Sequence, residues 1–305
     1  MAAKQRYKYL APAALAKMER LDIVAKGVVE GFVTGLHRSP YHGFSVEFAE
    51  HREYVHGDNI RDIDWQAYAR SDRYMIKQYQ EETNLRAYLL LDMSGSMGYR
   101  SAESDVSKLE YGCFLAACLA YLLARQQDPV GLVTFDDEVR TFIPPGSTSV
   151  HLNQLLRELE KVKARRTTDV SSSFHHLAEH IRRRGLIIII SDLYDDQREV
   201  LRSLRHFRYK KHEVMLFHLF DRYEIEFPFR KLTDFVDMET NERIQIDPKY
   251  IRKEYLALVQ EFIDLYRKDC SASQIEYVQT HTGVPYDVML FKFLATRSRL
   301  GLKTT

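Results

Sequence analysis

Cysteine is scarce in this sequence of 305 residues, which contains only Cys113, Cys118 and Cys270. No two of them form a C-x-x-C pair, so we expect neither a disulfide framework nor a zinc site, but buried thiols in a reducing compartment. Excess charge is also missing, because 44 basic and 43 acidic residues leave a net charge of +1. Composition therefore gives no reason to expect nucleic acid or an anionic membrane as the main partner.

Three further features are absent. Residues 1–21 have no continuous apolar core of the secretory type. Apolar runs such as Leu186–Ile190 fall far short of the roughly 20 residues that a membrane-spanning helix needs. No Gly-Lys pair occurs, so there is no G-x-x-x-x-G-K-[ST] phosphate-binding loop, and any ATP would have to be hydrolysed by a partner. We expect a cytoplasmic protein with no integral membrane segment.

Apolar runs and amphipathic segments alternate between residues 86 and about 221. The patterns predict strands at 86–92, 128–135, 139–143, 185–192 and 213–220, and helices at 109–125, 152–162, 174–184 and 198–208. Near-continuous apolar strands indicate a sheet that is covered on both faces. Their alternation with helices predicts a doubly wound, mostly parallel α/β sheet with right-handed crossovers.

The flanking regions divide the chain further. Residues 1–84 are predicted to form a mixed N-terminal module, with a short helix near 11–20 and strands near 28–34 and 74–80. Residues 85–305 form the α/β domain, and its last part, from about 222, is predicted to be a hairpin followed by helices. The hairpin pairs 233–239 with 243–247, and the helices lie near 248–268, 271–282 and 285–297.

The motif Asp92-Met-Ser94-Gly-Ser96 follows the first of these strands directly. A carboxylate and two hydroxyls on alternate residues can surround a cation where the chain turns tightly, and Gly95 permits such a turn. Oxygen ligands in near-octahedral arrangement are what Mg²⁺ prefers. Further oxygens are available from Thr167-Thr168-Asp169, just before a helix, and from Ser191-Asp192 at another strand end. Both places lie at the carboxyl ends of strands or in loops of the same layer, where sites form in such sheets.

This order of motifs resembles the metal-ion-dependent adhesion site of von Willebrand factor type A (vWA) domains. The resemblance implies a site for Mg²⁺, or alternatively Mn²⁺ or Ca²⁺, with the ligands Asp92, Ser94, Ser96, Thr168 and Asp192. Thr168 is preferred to Thr167 because the family's threonine is usually followed by Asp or Asn. The last coordination position would hold water, which a carboxylate from a protein partner replaces. Leu193 stands where the family often has glycine, which leaves open whether Asp192 contacts the ion directly, through water or not at all.

A second resemblance lies upstream and narrows the family. Gly43–Phe48, Arg52–Tyr54, Gly57-Asp58, Arg61–Trp65 and Ala69-Arg70 resemble the stretch that precedes a vWA-like domain in the prokaryotic "domain of unknown function 58" group. That resemblance implies an adaptor that works with a MoxR-type AAA+ ATPase in chaperone-like maturation or assembly. Many members of the group have membrane helices near the N-terminus, and this chain resembles a soluble version. Alternatively, Arg52, Asp58, Arg61 and Asp64 of this stretch form an Arg–carboxylate network that only stabilises the module.

Three other interpretations of the metal motif are open. Asp92, Ser94 or Ser96 could simply cap the next helix. A serine hydrolase could use Ser94 or Ser96 with His218 or His281 as base, although the G-x-S-x-G elbow is absent. The domain could also be a structural scaffold with an inactive metal site. We favour the hypothesis of a metal-dependent, non-enzymatic adaptor.

Overall fold

The computed structural model describes residues 46–55, 63–81, 86–165, 170–238, 240–286 and 288–290. These residues form two compact units that divide between Glu81 and Arg86. The predicted helix near 11–20, the predicted strand near 28–34 and most of the predicted helix at 285–297 lie outside the described residues.

The smaller unit contains a two-stranded antiparallel sheet. Its strands are β1 (Val46–Glu53) and β2 (Met75–Glu81), and the helix α1 (Trp65–Ser71) lies between them in the chain. The Asp64 carboxylate accepts a hydrogen bond from the Ala67 backbone N–H at 3.1 Å, which satisfies one amide at the start of α1. The strand predicted near 74–80 matches β2, whereas the weak periodicity of the region gave no prediction of β1 or α1.

The larger unit is built on a six-stranded sheet with the order β10-β7-β6-β3-β4-β5. The strands are β3 (Ala87–Asp92), β4 (Val130–Phe135), β5 (Val139–Gly146), β6 (Leu186–Ser191), β7 (Glu213–Phe220) and β10 (Glu276–His281). All neighbouring strands pair in parallel except β5, which is antiparallel to β4. The prediction of a doubly wound, mostly parallel sheet is therefore confirmed.

Six helices connect and follow these strands in the described part of this unit. They are α2 (Lys108–Arg125), α3 (Ser149–Lys161), α4 (Val170–His180), α5 (Gln197–Tyr209), α6 (Arg222–Glu226) and α7 (Pro248–Ala272). Side-chain caps fix several of their starts. Ser107 and Glu110 form a reciprocal capping box at α2, and Asp247 caps α7 directly before Pro248.

Helices cover both faces of the sheet, as predicted. One face is packed against α2, where the contact is so close that a Cβ on Gly112 would lie 2.9 Å from Leu91 Cδ1. The alternate side chains of the central strands, such as Leu90 and Ile189, belong to a core that includes Phe174, Phe207 and Tyr266 of α4, α5 and α7. Because both faces are buried, the central strands are apolar at nearly every position.

The prediction of a helix at 271–282 is wrong. Helix α7 continues to Ala272, Gln274 adopts a left-handed conformation with φ of 55°, and β10 then pairs in parallel with β7. The segment contains Tyr277, Val278 and Thr280, whose aromatic and β-branched side chains favour a strand. Two other predictions for the C-terminal region are confirmed, since α7 is a long helix and β8 (Thr233–Val236) and β9 (Arg243–Ile246) form the hairpin.

Two expectations from composition can be compared with the structure. All three cysteines are buried and not disulfide-bonded, as predicted. Among the residues that the structure describes, no helix is long and apolar enough to cross a membrane.

The buried carboxylate of Asp128, just before β4, should make the stability of the fold depend on pH. Burial raises the pKa of Asp128 to about 7, and its Oδ2 has no hydrogen-bond partner within the described ranges. The folded protein retains the proton of the Asp128 carboxyl up to a higher pH than the unfolded chain does. The protonated carboxyl therefore contributes fully to the free energy of unfolding below about pH 4, and this contribution is lost as the pH rises through about 7. The slope is at most about 1.4 kcal/mol per pH unit. Urea unfolding from pH 4 to pH 8 should show that Asp128→Asn reduces the slope of stability against pH by up to this amount. An unchanged pH profile would contradict the burial of an unpartnered acid.

Candidate metal centre

The candidate site lies at the point where the chain reverses its direction of travel across the sheet. From β3 the chain proceeds to β4 on one side, whereas β6 lies on the other side of β3 and leads to β7. Asp92 ends β3 and Ser191 ends β6, so both lie at the carboxyl edge beside this switch point. Crevices at such points are where ligands bind in open α/β sheets.

The three residues of the D-x-S-x-S motif lie together. The buried Asp92 carboxylate accepts a hydrogen bond from the Ser94 backbone N–H at 2.8 Å through Oδ1. The hydroxyls of Ser94 and Ser96 are 3.1 Å apart. Ser191, across the switch point, donates its hydroxyl to Asp92 Oδ2 at 2.5 Å. One carboxylate and two hydroxyls therefore lie in one turn, and these oxygen donors are of the kind that a hard cation prefers.

The helix-cap interpretation of the motif is wrong. The next helix, α2, begins at Lys108 and is capped by Ser107, far along the chain from Asp92. A short 3₁₀ turn at Ser96–Gly98 comes first, and no side chain caps its start. The motif thus has no capping role that would account for its residue types.

Burial and charge both act on Asp92. Burial, reinforced by repulsion from the nearby Asp192, raises the pKa of Asp92 to about 7, although hydrogen bonds from Ser191 and Ser94 work in the opposite direction. A carboxylate in this position is costly to ionise without a compensating cation. A cation bound beside Asp92 would lower this cost.

Asp192 is held by a buried lysine that the sequence analysis did not single out. Lys108 Nζ donates to Asp192 Oδ2 and to Glu224 Oε1, both at 2.7 Å, and its side chain is fully buried. Burial works to lower the pKa of Lys108, but the carboxylates of Asp192 and Glu224 raise it above its usual value. Lys108 precedes Gly112 by one helical turn, so the sequence does place it on the face of α2 that meets the sheet.

Leu193 shows how the chain accommodates the departure from the glycine that the resemblance predicts. Its φ is 54°, in the left-handed region where a Cβ costs roughly 1–2 kcal/mol. The side chain is fully buried in the core, and the backbone N–H donates to the Ser191 hydroxyl at 2.9 Å. Core packing therefore offsets a conformation that glycine would adopt without strain.

The fourth predicted ligand lies outside the part of the chain that the structure describes, since residues 166–169 are not included. Within the described residues, no three His, Cys, Asp or Glu side chains converge as metal ligands. A cation at this edge would therefore depend on the serine hydroxyls as well as on Asp92. Another acid of the same edge, Asp136, is also buried, and both of its oxygens accept hydrogen bonds from Arg140 Nε at 2.7 and 2.9 Å.

His218 does not form a hydrolase site with the serines. His218 is fully buried, its Nε2 donates to the Asp192 backbone carbonyl at 3.0 Å, and its Nδ1 contacts the Tyr277 hydroxyl at 2.8 Å. Burial lowers the pKa of His218 to about 3. Both ring nitrogens are thus engaged away from Ser94 and Ser96, and the geometry gives no support to a Ser–His pair.

The family model for "Protein of unknown function DUF58" matches residues 50–262, and the chain belongs to this family. The uncharacterized protein Rv1480 of Mycobacterium tuberculosis (strain H37Rv) is 26% identical over 220 residues, which cover 71% of this chain and 68% of that protein. Mycobacterium bovis has a relative with the same values, the uncharacterized protein Mb1516.

Solved structures of similar fold include the conserved hypothetical protein BatB of Bacteroides thetaiotaomicron. It is 15% identical with a TM-score of 0.45, over 70% of this chain and 99% of that chain. The SpRpn10 VWA domain is 13% identical with a TM-score of 0.38, over 68% of this chain and 93% of that chain.

Proposed function

We propose that the protein is a non-enzymatic adaptor that captures an acidic residue of a partner protein through a divalent cation. Asp92, Ser94 and Ser96 would hold the ion, and Thr168 would add a further oxygen. Asp192 would interact with the ion through a bound water and not directly. The observation that carries the proposal is that the Asp92 carboxylate accepts the Ser94 backbone N–H while the Ser94 and Ser96 hydroxyls lie 3.1 Å apart in the same turn, at the switch point of the sheet.

The residues of the chain divide this work. Ser191 and the Ser94 backbone N–H orient the Asp92 carboxylate. Lys108 fixes the position of the Asp192 carboxylate by a hydrogen bond. When bound, the ion would supply an open coordination position for a carboxylate from another chain. Two neutral hydroxyl ligands leave much of the ionic charge uncompensated, so the site would attract an incoming anion.

The energy source for any remodelling would lie in the partner. The sequence has no phosphate-binding loop, and the resemblance of the family to ATPase-associated adaptors points to a MoxR-type AAA+ ATPase. We propose that the adaptor links such an ATPase to its client in maturation or assembly.

Thermal unfolding tests the metal site directly. If Mg²⁺ binds with a dissociation constant of about 0.1 mM, about 1 mM free ion stabilises the fold by roughly 1.4 kcal/mol. For a domain of this size that is a rise in melting temperature of roughly 2–4 °C. Asp92→Asn should abolish the rise and still fold, because the amide preserves the shape of the side chain and removes a buried charge.

Asp105→Asn is the matched control for this measurement, since it removes one carboxylate from an exposed position of the following loop. It should keep the full Mg²⁺ effect. A wild type that does not respond to high Mg²⁺, or an Asp92→Asn variant that responds equally, would remove the metal site from the proposal.

A scaffold with an inactive metal site is the second candidate function. It is favoured by the buried ammonium of Lys108, which already supplies a positive charge to Asp192. This candidate predicts that chelation of divalent ions changes neither stability nor partner binding.

A further inference from the structure

An aromatic pocket of about 520 Å³ lies beside the candidate metal loop. Six of the residues that line this aromatic pocket are Ser96, Tyr194, Phe227, Phe235, Met238 and Tyr255. Its volume falls in the range of roughly 300–1,000 Å³ that is typical of ligand sites. The fold alone does not require such a concavity at this edge.

The walls of the aromatic pocket hold one another in place. The ring centroid of Phe227 is 4.4 Å from that of Tyr255 and 5.9 Å from that of Phe235. Phe227 is buried, and it ends α6 in the left-handed conformation with φ of 44°. The pocket is therefore preformed, and an occupant would not have to order these rings on binding.

The rim of the aromatic pocket exposes apolar side chains. Val236 and Met238 of the β8–β9 hairpin line the pocket and expose 43% and 44% of their surfaces. The hairpin is a separate two-stranded sheet, so these residues do not complete the main sheet. Apolar side chains that gather around a concave surface are typical of an interaction site.

The aromatic pocket is continuous with the candidate metal loop. Ser96 lines it, and the Ser96 hydroxyl is 3.1 Å from that of Ser94. Met238 also approaches this loop, because a Cβ on Gly98 would lie 3.9 Å from its Cε. An extended peptide advances about 3.3 Å per residue. A segment whose carboxylate is at the metal loop would thus bring a side chain one or two positions away to the pocket.

Charge decides which part of a partner enters the aromatic pocket. The lining contains two acids and no basic side chain. Glu224 is bound to Lys108, and the Asp237 carboxylate accepts the Thr240 backbone N–H at 2.7 Å. The pocket lining therefore offers no cation to a second carboxylate or a phosphate, and its aromatic side chains favour an uncharged apolar group.

We propose that the aromatic pocket receives a bulky apolar side chain from the same partner segment whose carboxylate binds the metal ion. The recognised segment then combines an Asp or Glu with an aromatic or large aliphatic residue one or two positions away. This inference rests on the proposed function and adds a second point of recognition to it.

Four acetylated pentapeptide amides test the inference. They contain glycine except for one Asp or Asn, and one Phe or Ala two positions away. Dissociation constants measured by NMR titration in millimolar Mg²⁺ should favour the Asp–Phe peptide over the Asp–Ala peptide by about tenfold or more. Met238→Asp should remove this preference and leave the difference between Asp and Asn. The control Leu258→Asp, at an exposed position of α7 that does not line the pocket, should change neither.

The outcomes separate the two hypotheses. If chelation and the change of Asp to Asn weaken binding but the change of Phe to Ala does not, the pocket inference fails and the metal proposal stands. If Phe matters while chelation and Asn have no effect, the metal proposal fails and the paired recognition fails with it. A dimer that Met238→Asp dissociates, without any peptide preference, would assign the pocket to a second copy of the chain and overturn the inference.

Discussion

Replacement of Lys108 by methionine should lower the free energy of unfolding by about 3–5 kcal/mol, a large part of the stability of an ordinary domain. The Lys108 ammonium is fully buried and bonds at 2.7 Å to both Asp192 and Glu224. Methionine has a similar volume, so the change removes the charge and leaves little cavity. The buried Asp192 carboxylate and the largely buried Glu224 carboxylate would then face each other without a cation. The cost comes from leaving these charges unpaired. Urea unfolding of the metal-free protein measures it.

Two controls sharpen this prediction. Lys161→Met removes an exposed lysine that pairs with Glu158 at 3.0 Å, and such surface pairs contribute at most about 1 kcal/mol. Adding Asp192→Asn and Glu224→Gln to Lys108→Met should recover much of the lost stability, because no unpaired charge remains. If Lys108→Met costs no more than Lys161→Met, the buried ion triad does not have the energetic role that its geometry indicates.

The triad also illustrates what local sequence patterns cannot reveal. Lys108 lies 84 residues from Asp192 and 116 residues from Glu224 in the chain. Nothing in the spacing of these residues indicates that they meet. The capping sequence at Ser107 and the position of Lys108 on the inner face of α2 could have marked it as buried, but its partners follow only from the order of strands and helices.

The fold was predictable where burial dictates composition. Central strands such as β6 are buried on both faces, so their apolar runs stand out from the amphipathic helices around them. The edge strand β10 is buried only in part, and Tyr277 and Thr280 are three residues apart, a spacing that also fits one face of a short amphipathic helix. This is why the segment was predicted to be helical and is in fact a strand.

The candidate site was predictable to the extent that it is local. Asp92, Ser94 and Ser96 lie in one turn at the end of β3, and their spacing in the sequence keeps them close together. The bridge from Ser191 depends on β6 lying next to β3, which the strand order provides. The aromatic pocket depends on the hairpin and α7 returning to this edge, and no motif in the sequence predicts that return.

Loss of partner capture is the largest effect that we expect. If the proposed partnership with a MoxR-type AAA+ ATPase holds, Asp92→Asn should weaken divalent-dependent binding to that ATPase or its client by at least about 100-fold. Loss of even an outer-layer residue typically costs a metal site 10–100-fold, and Asp92 would be a direct ligand. Biolayer interferometry with the ATPase in Mg²⁺ and then in EDTA measures both the affinity and its dependence on metal. Chelation of the wild type should reproduce the effect of the variant, and Asp105→Asn should bind normally.

The partner side of the same contact completes the test. If a carboxylate of the partner occupies the open position of the ion, removing that Asp or Glu should weaken binding to a similar degree. It should leave the Mg²⁺-induced rise in the melting temperature of the adaptor intact, because the ligands on this chain are unchanged. Binding that EDTA does not affect would favour the scaffold. Ester or peptide cleavage by the isolated protein that is lost in Ser94→Ala or Ser96→Ala would instead favour the hydrolase, and either result would reject the adaptor.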